Sequence, residues 1–143
     1  MEPLAILGRK YPDVVIPLIN SADSTIDIVV FDWRVYMGDS AGAIQDFNNA
    51  IFSAIERGVV VRALVNNDSV RAYLQQRGVV VKNYVSFKLL HTKMMIVDSN
   101  KIILGSHNYT QNAFTMNEEV SVYFKLSSKK NDFLDYFNRL WPL

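Results

Sequence analysis

HTKMMIVDSNKIILGSHN, residues 91–108, sets two short apolar runs on either side of the polar tetrapeptide DSNK. Such a pattern predicts a β-hairpin: LLHTKMMIV as one strand, DSNK as a tight turn and IILG as the returning strand. Its polar residues follow H-x-K-x4-D-x6-G-S-x-N. On a strand, positions two apart face the same way, so His91 and Lys93 project together, while Thr92 and Met94 point to the opposite face. Ser106 and Asn108 are again two apart, beyond Gly105, whose missing side chain permits close backbone approach to a ligand. A nucleophile or acid/base, a fixed cation and small hydrogen-bonding groups thus gather at one end of a hairpin. That set suits chemistry on an anionic phosphodiester. Asp98 begins the turn, where aspartate serves local structure, and His107 reads as a loop residue.

Outward from the hairpin, strands and helices alternate. Pro3 to Gly8 is a short first strand. Pro12 to Ala22 is a helix that Pro17 must either begin or kink. TIDIVVFDW (Thr25 to Trp33) is β-branched and aromatic, hence a buried strand. VYMGDSAG forms a loop. Ile44, Phe47, Ile51, Ala54 and Ile55 recur at helical spacing up to Gly58. VVVRALV (Val59 to Val65) is a second buried strand, followed by a helix over Ser69 to Gln76 and a further strand, VVVK. After the hairpin, Asn108 to Met116 is a polar loop or short helix, and Glu119 to Lys125 a strand. Ser127 or Ser128 caps a last helix whose Phe133, Tyr136, Phe137, Leu140 and Trp141 form one apolar stripe. This order predicts an α/β fold, a mixed β-sheet flanked by helices in an α-β-α sandwich.

The bulk properties bound the chemistry. A chain of 143 residues, half of them apolar, makes one domain over 1–143 with a real core. With no cysteine, disulfides, thiolate metal sites and a cysteine nucleophile are excluded, and two histidines leave little material for a zinc site. A net charge of +1 means that attraction to phosphates must come from a local patch. No segment has the apolar length to span a bilayer, and the N-terminal charge order is the reverse of a secretory signal, so the expectation is a cytoplasmic protein without stable membrane association.

The motif resembles the HKD signature of the phospholipase D superfamily, whose members cleave phosphodiesters in lipids and nucleic acids. The similarity extends to Asn117-Glu118-Glu119, which looks like the family's N-x-E stretch, and spans roughly Tyr11 to Trp141. The resemblance implies that His91, Lys93, Ser106, Asn108 and Glu119 form the catalytic set, with Glu119 hydrogen-bonding the motif histidine, and with Asp98 and Gly105 structural. It implies a two-step displacement through a phosphohistidine that needs no metal and no other cofactor. Catalytic sites of this family use two copies of the motif, and this chain has one. A homodimer with a composite site is therefore expected.

Single-motif members of this size are mostly nucleases, so the first expectation is an endonuclease with DNA or RNA as its partner. Arg34, Arg62, Arg71, Arg77, Lys82 and Lys88 are candidates to line a polyanion groove, weighed against scattered surface charge. Trp33, Tyr36, Tyr84 and Tyr109 are candidates for base stacking, weighed against packing. A phospholipase D-type phospholipid hydrolase or phosphatidyltransferase is the alternative. A catalytically silent nucleic-acid-binding domain is a further one, disfavoured by the complete motif.

Overall fold

Strand β2 (Thr25–Val30) carries Ile26, Ile28 and Val30 on one face and Asp27 and Val29 on the other, and five of its six residues are buried. Burial on both faces demands a central position, and the computed structural model, which describes residues 2–36 and 42–142, places it there. The remaining strands are β1 (Leu4–Leu7), β3 (Val60–Val65), β4 (Val80–Asn83), β5 (Lys93–Val97), β6 (Lys101–Gly105) and β7 (Val120–Lys125). They form one seven-stranded sheet of order β1-β7-β6-β5-β2-β3-β4. β2, β3 and β4 run parallel, whereas β5, β6, β7 and β1 join by antiparallel pairing. The mixed sheet is the one the element order predicts.

The helices divide between its faces. Helices α1 (Tyr11–Asn20), α2 (Ala43–Glu56), α3 (Asp68–Gln76) and the short α4 (Gln111–Thr115) cover one face, over a core that includes Val15, Phe47, Leu74 and Phe114. Helix α5 (Asp132–Leu140) covers the other, where Phe137 is fully buried and Phe133, Tyr136, Leu140 and Trp141 pack beside it. Period-two alternation sorts β5 between the two cores: Met95 and Val97 face the first, Met94 and Ile96 the second. Asp27 and Arg62 are paired in register on the α5 side at 2.7 Å, and the guanidinium lies 4.7 Å from the centre of the Phe137 ring.

Several element ends differ from the expectations. β2 stops at Val30 rather than Trp33, because the chain bends at Phe31 and Trp33 instead bridges to Tyr109. β5 starts at Lys93 rather than Leu89, because the preceding residues cross from the end of β4 and have no strand beside them. α5 is capped by Asn131, whose carbonyl oxygen accepts from Leu134 N–H, and not by Ser127 or Ser128. Asn131 wins because its amide also donates to the Ser99 carbonyl, tying the cap to the hairpin turn. Pro17 lies inside α1, which Pro12 opens. Residues 108–116 resolve into a loop and α4. Most of the predicted VYMGDSAG loop, 37–41, lies outside the described residues. Trp33 and Tyr109 are buried and belong to the core, so packing, not base stacking, accounts for them.

Two buried polar groups hold the sheet together. Asp98, with φ at 51°, turns its carboxylate back across the start of β2. There it accepts from the backbone N–H groups of Asp23, Ser24 and Thr25 and from the Ser24 hydroxyl at 2.8–3.2 Å. Burial alone would raise its pKa, but these donors together hold it below the ordinary aspartate value. His107 is 1% exposed rather than a loop residue. Its Nδ1 meets the Ser121 hydroxyl at 2.7 Å, its Nε2 meets the Gly8 carbonyl at 2.8 Å, and its ring packs 4.6 Å from Tyr11. Burial lowers its pKa, against the opposing pull of the Gly8 carbonyl and the Glu119 charge.

Asp98→Ala is expected to remove about 3 kcal/mol or more of stability in urea unfolding, because it strands three backbone donors. Lys101, whose ammonium is 3.7 Å from the same carboxylate, is an accessory: Lys101→Ala is expected to cost less than about 1 kcal/mol. Equal losses would show that the ion pair, not the backbone donors, carries the effect.

Candidate active site

The sheet register lines up one edge. Val30 pairs with Lys93, Met94 with Leu104, Gly105 with Ser121, and Val120 with Leu7. The ends of β2 and β6 and the starts of β5 and β7 therefore lie in a row, at the carboxyl end of the parallel strands, where α/β sheets leave a crevice. His91, Lys93, Ser106 and Glu119 all fall on this edge. Asp98 falls on the opposite one, which separates the ends of the hairpin into a chemical end and a structural end.

His91 precedes the strand instead of lying on it, and is exposed. The Lys93 ammonium sits almost midway between its ring nitrogens, 3.2 Å from Nδ1 and 3.3 Å from Nε2. Beneath both lies Phe31, its ring centre 5.0 Å from the imidazole and 5.6 Å from the ammonium. Burial lowers the Lys93 pKa, and the nearby Glu119 charge opposes that shift. Thr92, pointing to the other face as its parity requires, meets the Tyr136 hydroxyl at 2.8 Å and so ties the motif to α5. Phe31 was not singled out by the sequence: one aromatic in a buried run carries no signal until the bend after Val30 is known.

Ser106 and Glu119 form a second group on the neighbouring strands. The Ser106 hydroxyl donates to Glu119 Oε1 at 2.5 Å and accepts from Val120 N–H at 3.0 Å, while Asn117 donates to Glu119 Oε2 at 3.1 Å. Glu119 thus spends its oxygens on Ser106 and Asn117, and not on His91 as the resemblance implied. It lies one residue before β7, so its side chain reaches along the sheet edge. Asn108 turns its carbonyl oxygen to Asp32 N–H at 3.0 Å, which leaves its NH2 as the donor for a ligand. Gly105 is structural, as the resemblance implies, but the close approach it permits is not that of a ligand. A Cβ there would stand 2.3 Å from Ser121 Oγ and 2.4 Å from Ser121 Cα, so the glycine admits β7 rather than a ligand.

Two depressions open on this edge. A mostly apolar groove of about 510 Å³ runs from His91 and Lys93 past Met94, Leu104, Phe133 and Tyr136. A polar one of about 380 Å³ is lined by Asp32, Arg34, Asn108, Asn117 and Glu119. The candidate cations do not gather along either. Arg62 is paired with Asp27 under α5, Arg77 stacks 3.9 Å from the Phe52 ring, Arg71 pairs with Asp68 at 3.4 Å, and Lys82 bonds the Pro142 carbonyl. Arg34 lines the polar depression but pairs with Asp32 at 2.9 Å, and Lys88 lies in the segment leading to His91. Scattered charge is the reading that fits. Among the described residues, no three His, Asp or Glu side chains converge as a metal ion would require.

Comparison with known proteins places this geometry. The family described as "Cardiolipin synthase, PLD-like domain" matches residues 15–141. The mitochondrial cardiolipin hydrolase of Chlamydomonas reinhardtii is 26% identical over 131 residues, covering 87% of this chain and 55% of that protein. That of Danio rerio is 30% identical over 104 residues, covering 68% of this chain and 46% of the relative. The chain thus spans about half the length of these curated relatives. Among solved structures, the phospholipase D family member Nuc from Salmonella typhimurium superposes with a TM-score of 0.80 at 24% identity, covering 98% of this chain and 95% of Nuc. NucT from Helicobacter pylori gives 0.75 at 19% identity, with 97% and 94% covered. A match running from α1 to the end of α5, on the fold that the HKD-like hairpin predicts, establishes that the chain belongs to the phospholipase D superfamily, within its PLD-like domain family.

Proposed function

We propose that this protein is a metal-independent phosphodiesterase that cleaves nucleic-acid diesters through a phosphohistidine on His91, at a site completed by a second subunit. The observation that carries the proposal is the pairing of the exposed His91 with the half-buried Lys93, with 3.2 Å between imidazole and ammonium, held over Phe31 at the carboxyl edge of the sheet.

In the first step a ring nitrogen of His91 attacks phosphorus, a P–N bond forms, and the P–O bond to the leaving group breaks. A second acid must protonate the departing oxygen. In the second step water, deprotonated by the group that gave up that proton, attacks phosphorus and breaks the P–N bond. Lys93 and the Asn108 amide offset the charge on the phosphoryl oxygens throughout.

The second acid/base has to come from outside the chain. His107 is the only other histidine, and it is buried with both ring nitrogens engaged. A two-fold axis beside the sheet edge supplies the partner subunit's His91 in that role. Exposed apolar residues flank the edge and suit such an interface. Val85, Phe87 and Leu89 lie just before His91, while Leu7 and Val120 are paired in the sheet beside Glu119. The open end of the hairpin and the 108–117 segment border this axis, and the Asp98 turn does not.

Nucleic acid is the first substrate class, on the compact single-motif resemblance and the polar depression beside Asn108. A second reading, a phospholipid diester, is favoured by the relatives named cardiolipin hydrolases and by the apolar groove leading from His91. Among the described residues no helix is long and apolar enough to cross a membrane. Purified protein assayed on plasmid, oligonucleotides, cardiolipin vesicles and an aryl phosphodiester separates the two substrates. Cleavage of vesicle lipid alone would transfer the proposal to the second reading.

His91→Asn is expected to lower turnover by at least about 10³-fold with the fold intact. Wild type mixed with excess His91→Asn protein should lose activity as inactive partners exchange in. Retention of full activity in the mixture, at a concentration where sedimentation shows exchange, would refute the shared site. Turnover is also expected to survive excess EDTA. Loss that magnesium or manganese restores would refute the metal-free mechanism.

A further inference from the structure

The ladder between β2 and β5 ends at Val30 with Lys93, and the carbonyls of Phe31 and Leu90 lie just beyond it. Asn66, the first residue after β3, meets both. Its Nδ2 donates to Phe31 O at 3.0 Å and to Leu90 O at 3.0 Å. One primary amide thereby uses its two hydrogens as a crossbar between the exit of β2 and the entry to β5. Leu90 is buried and directly precedes His91, and the Phe31 ring underlies the imidazole. Asn66 itself is exposed and contributes nothing to either hydrophobic core. An exposed side chain whose donors are both committed to backbone beside His91 has a positional task.

We propose that Asn66 is a positioning residue, which sets the place of His91 by locking the Phe31 and Leu90 backbones together. Without it, each carbonyl turns to water, the segment before Lys93 loses its tether to the sheet edge, and the imidazole leaves the Phe31 ring. The kinetic part of this inference rests on the function proposed above; the structural part does not. Misplacement of a reacting group by about 1 Å costs on the order of 10²-fold in rate, and it acts on kcat more than on KM.

The test uses the chain's two histidines as reporters. In protein labelled at histidine, the His91 imidazole signal, identified by its loss in His91→Asn, should carry a ring-current displacement from Phe31. Asn66→Ala, and Asn66→Asp with the same shape but no donors, should move that signal toward the position of a free imidazole. Both should lower kcat about 10-fold or more, with KM changed less than about 3-fold. Asn66→Gln, which keeps the amide, should recover part of both effects. Asn67→Ala is the control, since Asn67 caps α3 through Ser69 and Val70 and its loss weakens the fold without touching the crossbar. An unmoved His91 signal in both Asn66→Ala and Asn66→Asp, or changes no larger than those of Asn67→Ala, would overturn the assignment. Should the wild type cleave no diester, the function proposed above fails, while the imidazole signal still decides the role of Asn66.

Discussion

Because β5 sits at the centre of the sheet, between β2 and β6, and is covered on both faces, its interior can hold only apolar side chains. Met94, Met95, Ile96 and Val97 meet that demand, each 3% exposed or less. A buried charge without partners would cost several kcal/mol, so the polar residues of the motif are driven to the two ends of the strand. At one end Asp98 is satisfied by backbone donors, which fixes the register of β5 against β2. At the other end His91 is exposed and Lys93 half-buried, together at the sheet edge. A slip of one residue would turn every side chain to the opposite face and separate the pair from Phe31. The site and the staple are two consequences of one strand pairing.

Much of this is legible in the sequence. Two apolar runs flanking a polar tetrapeptide predict the hairpin, and alternating strand and helix signals predict the mixed sheet. The motif named the residues at the sheet edge. The limits came where tertiary contacts override local signals. Glycine at 105 reads as room for a ligand, but the neighbour that needs the room is Ser121, sixteen residues on in the next strand, and only the β6–β7 register reveals it. His107 reads as a loop residue, although Gly8, at the far end of the chain, buries it. Asn131 displaces the two serines as helix cap through a bond to Ser99 that no local window contains. Asn66 and Phe31 carry no motif at all. They matter through what lies beside them in space.

In the proposed mechanism one chain alone lacks the second proton carrier. Two-step displacement at phosphorus needs a nucleophile and a separate proton carrier, and they must not be the same ring. The chain keeps one histidine at the surface and commits the other to its core, with burial lowering that ring's pKa. Under that proposal, placing two His91 rings across a two-fold axis reconciles a single motif with a reaction that uses two. It also gives the exposed apolar residues that flank the sheet edge a partner surface, which an isolated chain leaves in water.

The most direct test of the account is the mass of the protein quenched during turnover of a bis-aryl phosphodiester. The account predicts an aryl-phosphoryl adduct on the peptide that contains His91, at no more than one per two chains, and no adduct in His91→Asn. Turnover without an adduct, or an adduct on the peptide that contains His107, would contradict it.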